Sequence, residues 1–225
     1  MSTNQRRSAL AGRVPLSRDR VLEAALALAD AEGVKGLTMR RLAAELGVEA
    51  MTIYYHVPNK DAILDALVDR VIGEIELPER GIEWRPALRS LALSAYDVLG
   101  RHRWATQMML GPGRSPGPMR LRYMDTILAI LTDAGFEPTV ADHAYHAIEG
   151  HVMGFTLWEV GMNLGTREEV QAMGRAFLAQ LEVAIYPNVA AHIEHHLEPR
   201  RPGDVGSFAF ALDLLLDGLA RLRPT

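Results

Sequence analysis

Apolar residues recur along this chain at three- and four-residue intervals, and the alternation that a half-buried strand needs is almost absent. From Ser17 to about Glu32 the spacing predicts a first helix. Leu42, Ala43 and Leu46 share one face of a second, opened by Thr38, whose hydroxyl can accept from an unpaired N–H in the first turn. Gly47 can take a left-handed turn at little steric cost, and Val48 and Ile53 plug the space between this helix and the next. Pro58 stops the third helix, because it disfavours a helical Val57 and lacks a donor. Asn59 caps a longer segment, 59–77, in which Ile63, Leu64, Leu67, Val68, Val71, Ile72 and Ile75 keep the period until Pro78. Further helices are expected at about 84–101, around Trp104, Met108 and Met109, and at about 119–134, 139–163, 167–186 and 204–222. Gly111 to Pro118, with three glycines and three prolines, is a loop. Long helices without an internal repeat in 225 residues predict an all-α fold, a three-helix N-terminal head followed by a helical bundle.

Residues 38–64, TMRRLAAELGVEAMTIYYHVPNKDAIL, stand apart within this pattern. Once the plugs are assigned, Ala50, Met51, Thr52, Tyr54, Tyr55 and His56 are left pointing elsewhere, with Lys60 just beyond. A hairpin buried in a core would not display Thr, Tyr, Tyr, His and Lys within nine residues. Two short helices joined at a glycine, the second carrying such side chains, form the layout of a helix-turn-helix whose second helix fits the DNA major groove. Thr52 and Tyr54 can donate hydroxyls to phosphate, and Tyr55 and His56 can reach phosphate or base edges. Thr38, with the amides of its helix N-terminus, and Lys60, by charge, would position the backbone. Arg40 is the candidate for bidentate reading of guanine, with a phosphate contact as the alternative.

Composition narrows the field. The chain lacks cysteine, which excludes disulfides, thiolate catalysis and Cys-ligated zinc. Its apolar runs are too short to span a bilayer and its first twenty residues have no apolar core segment, so a cytoplasmic location is expected. The net charge of −4 divides into +3 over residues 1–60 and −7 over the rest, which places the attraction for phosphate at one end. Arg6, Arg7 and Arg13 make residues 1–15 a flexible basic arm. The last helix, from Phe208 to Leu222, is apolar around much of its circumference. One face can pack on its own body, leaving Phe208, Leu212, Leu215 and Leu219 as a partner surface, and a homodimer is expected.

The string Gly36-Leu37-Thr38-Met39-Arg40-Arg41-Leu42-Ala43, then Leu46-Gly47-Val48, then Thr52-Ile53-Tyr54-Tyr55-His56-Val57 and Asn59-Lys60 resembles the DNA-binding domain of the tetracycline-repressor family of bacterial regulators. The likeness covers roughly residues 16–76 and continues more weakly beyond. It implies a helix-turn-helix domain at 16–62, a connecting helix to about 77, and an effector-binding and dimerisation domain at 78–225. By the same resemblance the closing helix and the long helix near 139–163 pair with their counterparts in a two-fold dimer that binds a palindromic operator. Ala50 and Met51 fall where the family makes base contacts, yet they offer only apolar contact, for instance with a thymine methyl. The resemblance also implies a small-molecule effector. Trp104, Met108, Met109, Tyr123, Met153, Phe155, Trp158 and Met162 supply soft and aromatic surface for it, with Glu159 as a polar contact. The tetracycline repressor grips a drug–magnesium chelate through a histidine and a glutamate. Residues 150–159 line up with the glutamate's segment, but Met109 stands where the histidine would fall, which argues against tetracycline and for an apolar effector.

Two histidine groups have spacings that a metal site could use: His143, His146 and Glu149 at three-residue intervals, and His192, His195 and His196. Neither has the paired Glu-x-x-His arrangement of di-iron bundles or the His-Glu-x-x-His zinc signature, so no metal and no cofactor are expected. No serine elbow, phosphate loop or carboxylate dyad appears, and the expected function is a ligand-responsive repressor rather than an enzyme. The alternative is a helical enzyme or ligand carrier with a vestigial head, which product formation would reveal.

Overall fold

The computed structural model describes residues 15–111, 115–161, 166–198 and 206–223, and in these the fold is all-α. The basic arm expected at 1–15 lies outside the described residues but for Pro15, as does Met162. The head comprises α1 (Arg18–Gly36), α2 (Met39–Leu46) and α3 (Ala50–Tyr54). Ser17 opens α1 by accepting from the Arg20 N–H, and the helical path breaks at Gly33, just past the expected end. Thr38 opens α2 in the same way, accepting from Arg41 N–H at 3.1 Å.

Helix α4 (Lys60–Ile72) joins head to body and is capped by Asn59. It stops five residues short of the expected 77. After Gly73 the N–H groups of Glu74 and Ile75 turn to Val71 and Ile72, three residues back, and Glu76 N–H leaves for Ser94 Oγ at 2.8 Å. Ile75 is still buried, so the apolar period outlasts the helix itself.

The body follows as α5 (Trp84–Arg101), α6 (Arg103–Met109), α7 (Pro118–Asp133), α8 (Pro138–Gly161), α9 (Arg167–Gln180), α10 (Pro187–Leu197) and α11 (Gly206–Ala220). α5 packs on α7, α8 and α11, and α4 on α7. Leu88, Leu91 and Leu99 of α5 meet Ile127, Leu131 and Ile148 in a core where each is no more than 1% exposed. Burying side chains of this kind contributes about 1.5–3 kcal/mol apiece. Arg85 pairs with Asp217, and Arg89 with Asp213 at 2.8 Å, which fixes α11 along α5.

The helix expected at 167–186 ends at Gln180, where Leu181 turns extended, and a further helix, α10, begins at Pro187. The apolar run Leu181, Val183, Ala184, Ile185 imitates a helical period across the break. Proline is well suited to the first position of a new helix, where its missing N–H would be unpaired anyway.

Candidate functional site

Gly47 sets the turn between α2 and α3 at φ 63° and ψ 36°, a left-handed conformation that a side chain would strain. Helix α3 has five residues, too few to be stable alone. Ile53, fully buried, pins it to the head. With Ile53 inward, Met51, Tyr54 and Tyr55 are 67%, 43% and 87% exposed, and Ala50, Thr52 and His56 are half-buried. Thr38 and Arg40 are exposed at the start of α2, while Arg41 pairs with Glu32 at 3.0 Å. Lys60 has a local duty as well, its Nζ donating to Val34 O at 2.9 Å and tying α4 to the end of α1. An ammonium has three donors, so others remain for phosphate.

Most of the residues expected to hold an effector are packed side chains. Trp104, Met109, Tyr123 and Met153 are buried in the core, with Met108 and Phe155 packed against it, while Trp158 is 56% exposed on the outer side of α8. Glu159 accepts from the Tyr96 hydroxyl, and Tyr96 stacks on Phe208 at 4.0 Å. Trp104 joins body to head: its indole N–H donates to Asp30 Oδ1 of α1 at 2.7 Å, and His102 Nδ1 lies 2.8 Å from the same oxygen. A cleft of about 710 Å³ runs between residues 77–84 and α7, lined by Leu77, Ile82, Trp84, Arg122, Ile130 and Arg223. A smaller one of about 220 Å³ adjoins it, where Tyr123 meets Ile72, Gly73 and Met119.

Sequence reasoning passed over Tyr96, Asp30 and the pairing of Thr106 with Thr156, whose hydroxyls lie 3.2 Å apart inside the body. A hydroxyl on an otherwise apolar helix face was the available signal for Thr106 and Thr156, while the exposed Asp30 carried none. Glu149, considered only as a metal ligand, is the acceptor for Tyr123 O–H at 2.6 Å. Burial pushes the Glu149 carboxyl up from its ordinary value, opposed by the Tyr123 hydrogen bond and the nearby Arg120 charge. Burial, then the Glu149 charge, raises Tyr123 well above the usual phenol range. A carboxyl raised in the folded state stabilises the fold when protonated. That contribution is whole below its ordinary value of 4.5 and is lost as pH rises through the higher folded value. Glu149→Gln keeps an acceptor for Tyr123, so it is expected to raise the thermal midpoint by about 2–4 °C at neutral pH and much less at low pH. Equal shifts at both pH values, read by calorimetry, would remove burial of the charge as the cause.

His192, His195 and His196 lie side by side on α10, with the His192 and His196 rings 4.5 Å apart, while His143 and His146 stand on α8. His146 Nδ1 bonds to Asp142 O at 2.9 Å, and Glu149 is engaged with Tyr123. His196 is lowered by burial and by His192 and His195 beside it. Among the described residues no three His, Asp or Glu side chains are grouped to hold a metal.

Within the single chain, the residues expected as a partner surface on the final helix turn mostly towards their own body. Phe208, Leu212 and Leu219 are buried against their own body, with Leu215 half-buried and His151 Nε2 donating to Phe208 O at 2.9 Å. The side facing outward carries Phe210 and Leu214, 60% and 58% exposed. A helix apolar around much of its circumference gives little phase from which to read its inner face, and the Arg85 and Arg89 ion pairs with Asp217 and Asp213 set that phase here. On the adjoining α8, Ala147, Gly150, Gly154 and Trp158 are exposed.

Residues 21–67 match the family model described as bacterial regulatory proteins, tetR family, and residues 77–223 the one described as tetracyclin repressor-like, C-terminal domain. The chain is 34% identical over 220 residues to the HTH-type transcriptional repressor DrrR1 of Streptomyces coeruleorubidus, covering 91% of this chain and 77% of that one. The crystal structure of ActR from Streptomyces coelicolor in complex with actinorhodin superposes with a TM-score of 0.71 at 28% identity, over 92% of this chain and 98% of that one. A variant of TetR from Acinetobacter baumannii in complex with minocycline superposes with a TM-score of 0.66 at 28% identity, over 94% and 100%.

Proposed function

The chain belongs to the tetR family of bacterial regulatory proteins, and from that premise we propose that it is a ligand-responsive transcriptional repressor that binds a palindromic operator as a homodimer. The observation that carries the reading is α3, a short helix held by one buried plug and turning Met51, Tyr54 and Tyr55 to solvent. A helix so displayed enters a major groove with little to rearrange. Two such heads on a two-fold axis meet half-sites about 34–36 Å apart, one helical turn of DNA.

The assignments follow from chemistry. Thr38, Thr52, Tyr54 and Lys60 hold phosphate, Tyr55 and His56 reach phosphate or base edges, Ala50 and Met51 offer apolar contact, and Arg40 reads guanine. Tyr54→Ala is expected to weaken binding to all duplexes by a similar factor. Arg40→Ala is expected to cost about 1–3 kcal/mol and to relax the sequence preference at one position. Footprints that kept full specificity without Arg40 would remove its base-reading role.

The dimer forms through the outward faces of α8 and α11, where Gly150 and Gly154 let backbones approach and Phe210 and Leu214 supply apolar area. The effector is a small, largely apolar molecule taken up by the body. Met109, Tyr123, Met153 and Phe155 supply soft surface, and the hydroxyl-bonded Glu159 a polar anchor. Tyr123 borders the smaller cleft, and the packed Met109, Met153 and Phe155 part to admit the molecule beside it. Two relatives solved with actinorhodin and with minocycline support a ligand-binding body. No described helix is long and apolar enough to cross a membrane, and a cytoplasmic regulator is the reading that fits.

Selection of duplexes from a random pool by the purified protein, followed by a screen for compounds that release them, tests the whole proposal. Enrichment of one inverted repeat is the expected result. No enrichment, together with turnover of a compound, would favour an enzyme with an idle head.

A further inference from the structure

The first turn of α7 is capped from a distant part of the chain. Gly117, at its own N-cap position, has no side chain to offer. Asp69 of α4 takes the place: its Oδ1 accepts from Met119 N–H at 2.8 Å and from Arg120 N–H at 3.3 Å. A Cβ at position 117 would collide with that carboxylate, so glycine makes room for the approach. Helix α4 carries the head, since α1 packs on it and Lys60 bonds to Val34 O. The same stretch of α7 is bonded on its other side to the body. Arg120 Nη1 donates to Met109 O at 3.0 Å, and Tyr123 O–H to Glu149 Oε1 at 2.6 Å.

We propose that Asp69 couples the effector-binding body to the DNA-reading head, by holding α4 to the first turn of α7. This rests on the regulator reading above. A ligand that displaces Met109 or Tyr123 shifts that turn, and the Asp69 cap is made in only one of the two positions of α4, so making or breaking it weights one separation of the heads over the other. Coupling between sites is reciprocal, so a duplex bound at the heads is felt at Met119 and Arg120.

The first N–H groups of a helix have no acceptor within it, so hydrogen exchange at Met119 and Arg120 reports the Asp69 contact itself. The full-length protein is measured free and saturated with a duplex that it selects from a random pool. Protection of these two amides is expected to differ about fivefold or more between the two states, the equivalent of one cap made or lost. Asp69→Asn retains the difference, because asparagine caps as well as aspartate. Asp69→Ala abolishes it, and Gly117→Ala does so independently by pushing the carboxylate aside. Equal protection in the free and bound wild-type protein overturns the coupling and leaves the regulator reading standing. Failure to select any duplex overturns the regulator reading, and the coupling with it.

Discussion

Leu214→Asp is expected to yield a folded monomer that binds its operator weakly, by a factor of about 10² or more. Leu214 is 58% exposed on the outer side of α11, so a charge there disturbs little within one chain. In a dimer the same position lies at the proposed seam, where a pair of desolvated carboxylates related by two-fold symmetry would face an apolar partner surface. Once the chains separate, the second head no longer binds at the high local concentration that the first one creates. Sedimentation velocity and mobility shift on the same samples read both effects. A variant that stayed dimeric would place the seam elsewhere. Leu212→Asp makes a useful contrast, since Leu212 is fully buried in its own chain, and a charge there should unfold the body rather than divide the dimer.

Ile53→Ala is expected to abolish operator binding while leaving the body folded. The substitution removes about 2–5 kcal/mol by emptying a buried site. Few elements could absorb that loss less well than α3, which spans five residues, has no side-chain cap at its start and buries Ile53 alone. Without its plug the helix lacks both the length to persist and the packing to hold an orientation, and Tyr54 and Tyr55 lose their common frame. Hydrogen exchange should show the amides of 47–57 released while those of α5 and α8 stay protected. Retained affinity in a variant with a released α3 would mean that the duplex itself orders the helix, and the preformed head would have to be abandoned.

The head was legible in the sequence because each of its devices acts within a few residues. The hydroxyls of Ser17 and Thr38 and the amide of Asn59 reach N–H groups three residues on, and Gly47 sets its own backbone. Such signals survive in a string of letters, and the exposure of Tyr54 and Tyr55 follows from them once Ile53 is placed. The body was less legible. The apolar run through 181–186 hid the break between α9 and α10, and Ile75 carried the period of α4 past its true end. The expected effector residues proved to be packed core for the most part, since methionine and aromatic side chains at helical spacing fill an interior as readily as they line a pocket.

Chain-local chemistry thus determined the all-α class, the helix-turn-helix and the identity of its outward residues, because caps, turns and proline stops act over the three or four residues that a sequence presents together. Tertiary structure alone decided which side of α11 faces inward, that Asp69 caps α7 across 50 residues, and that Trp104 bonds to Asp30. These outcomes depend on which elements lie side by side. A helix apolar around much of its circumference, a carboxylate in mid-helix and a lone indole N–H carry no mark of their partners until packing brings the two surfaces into contact.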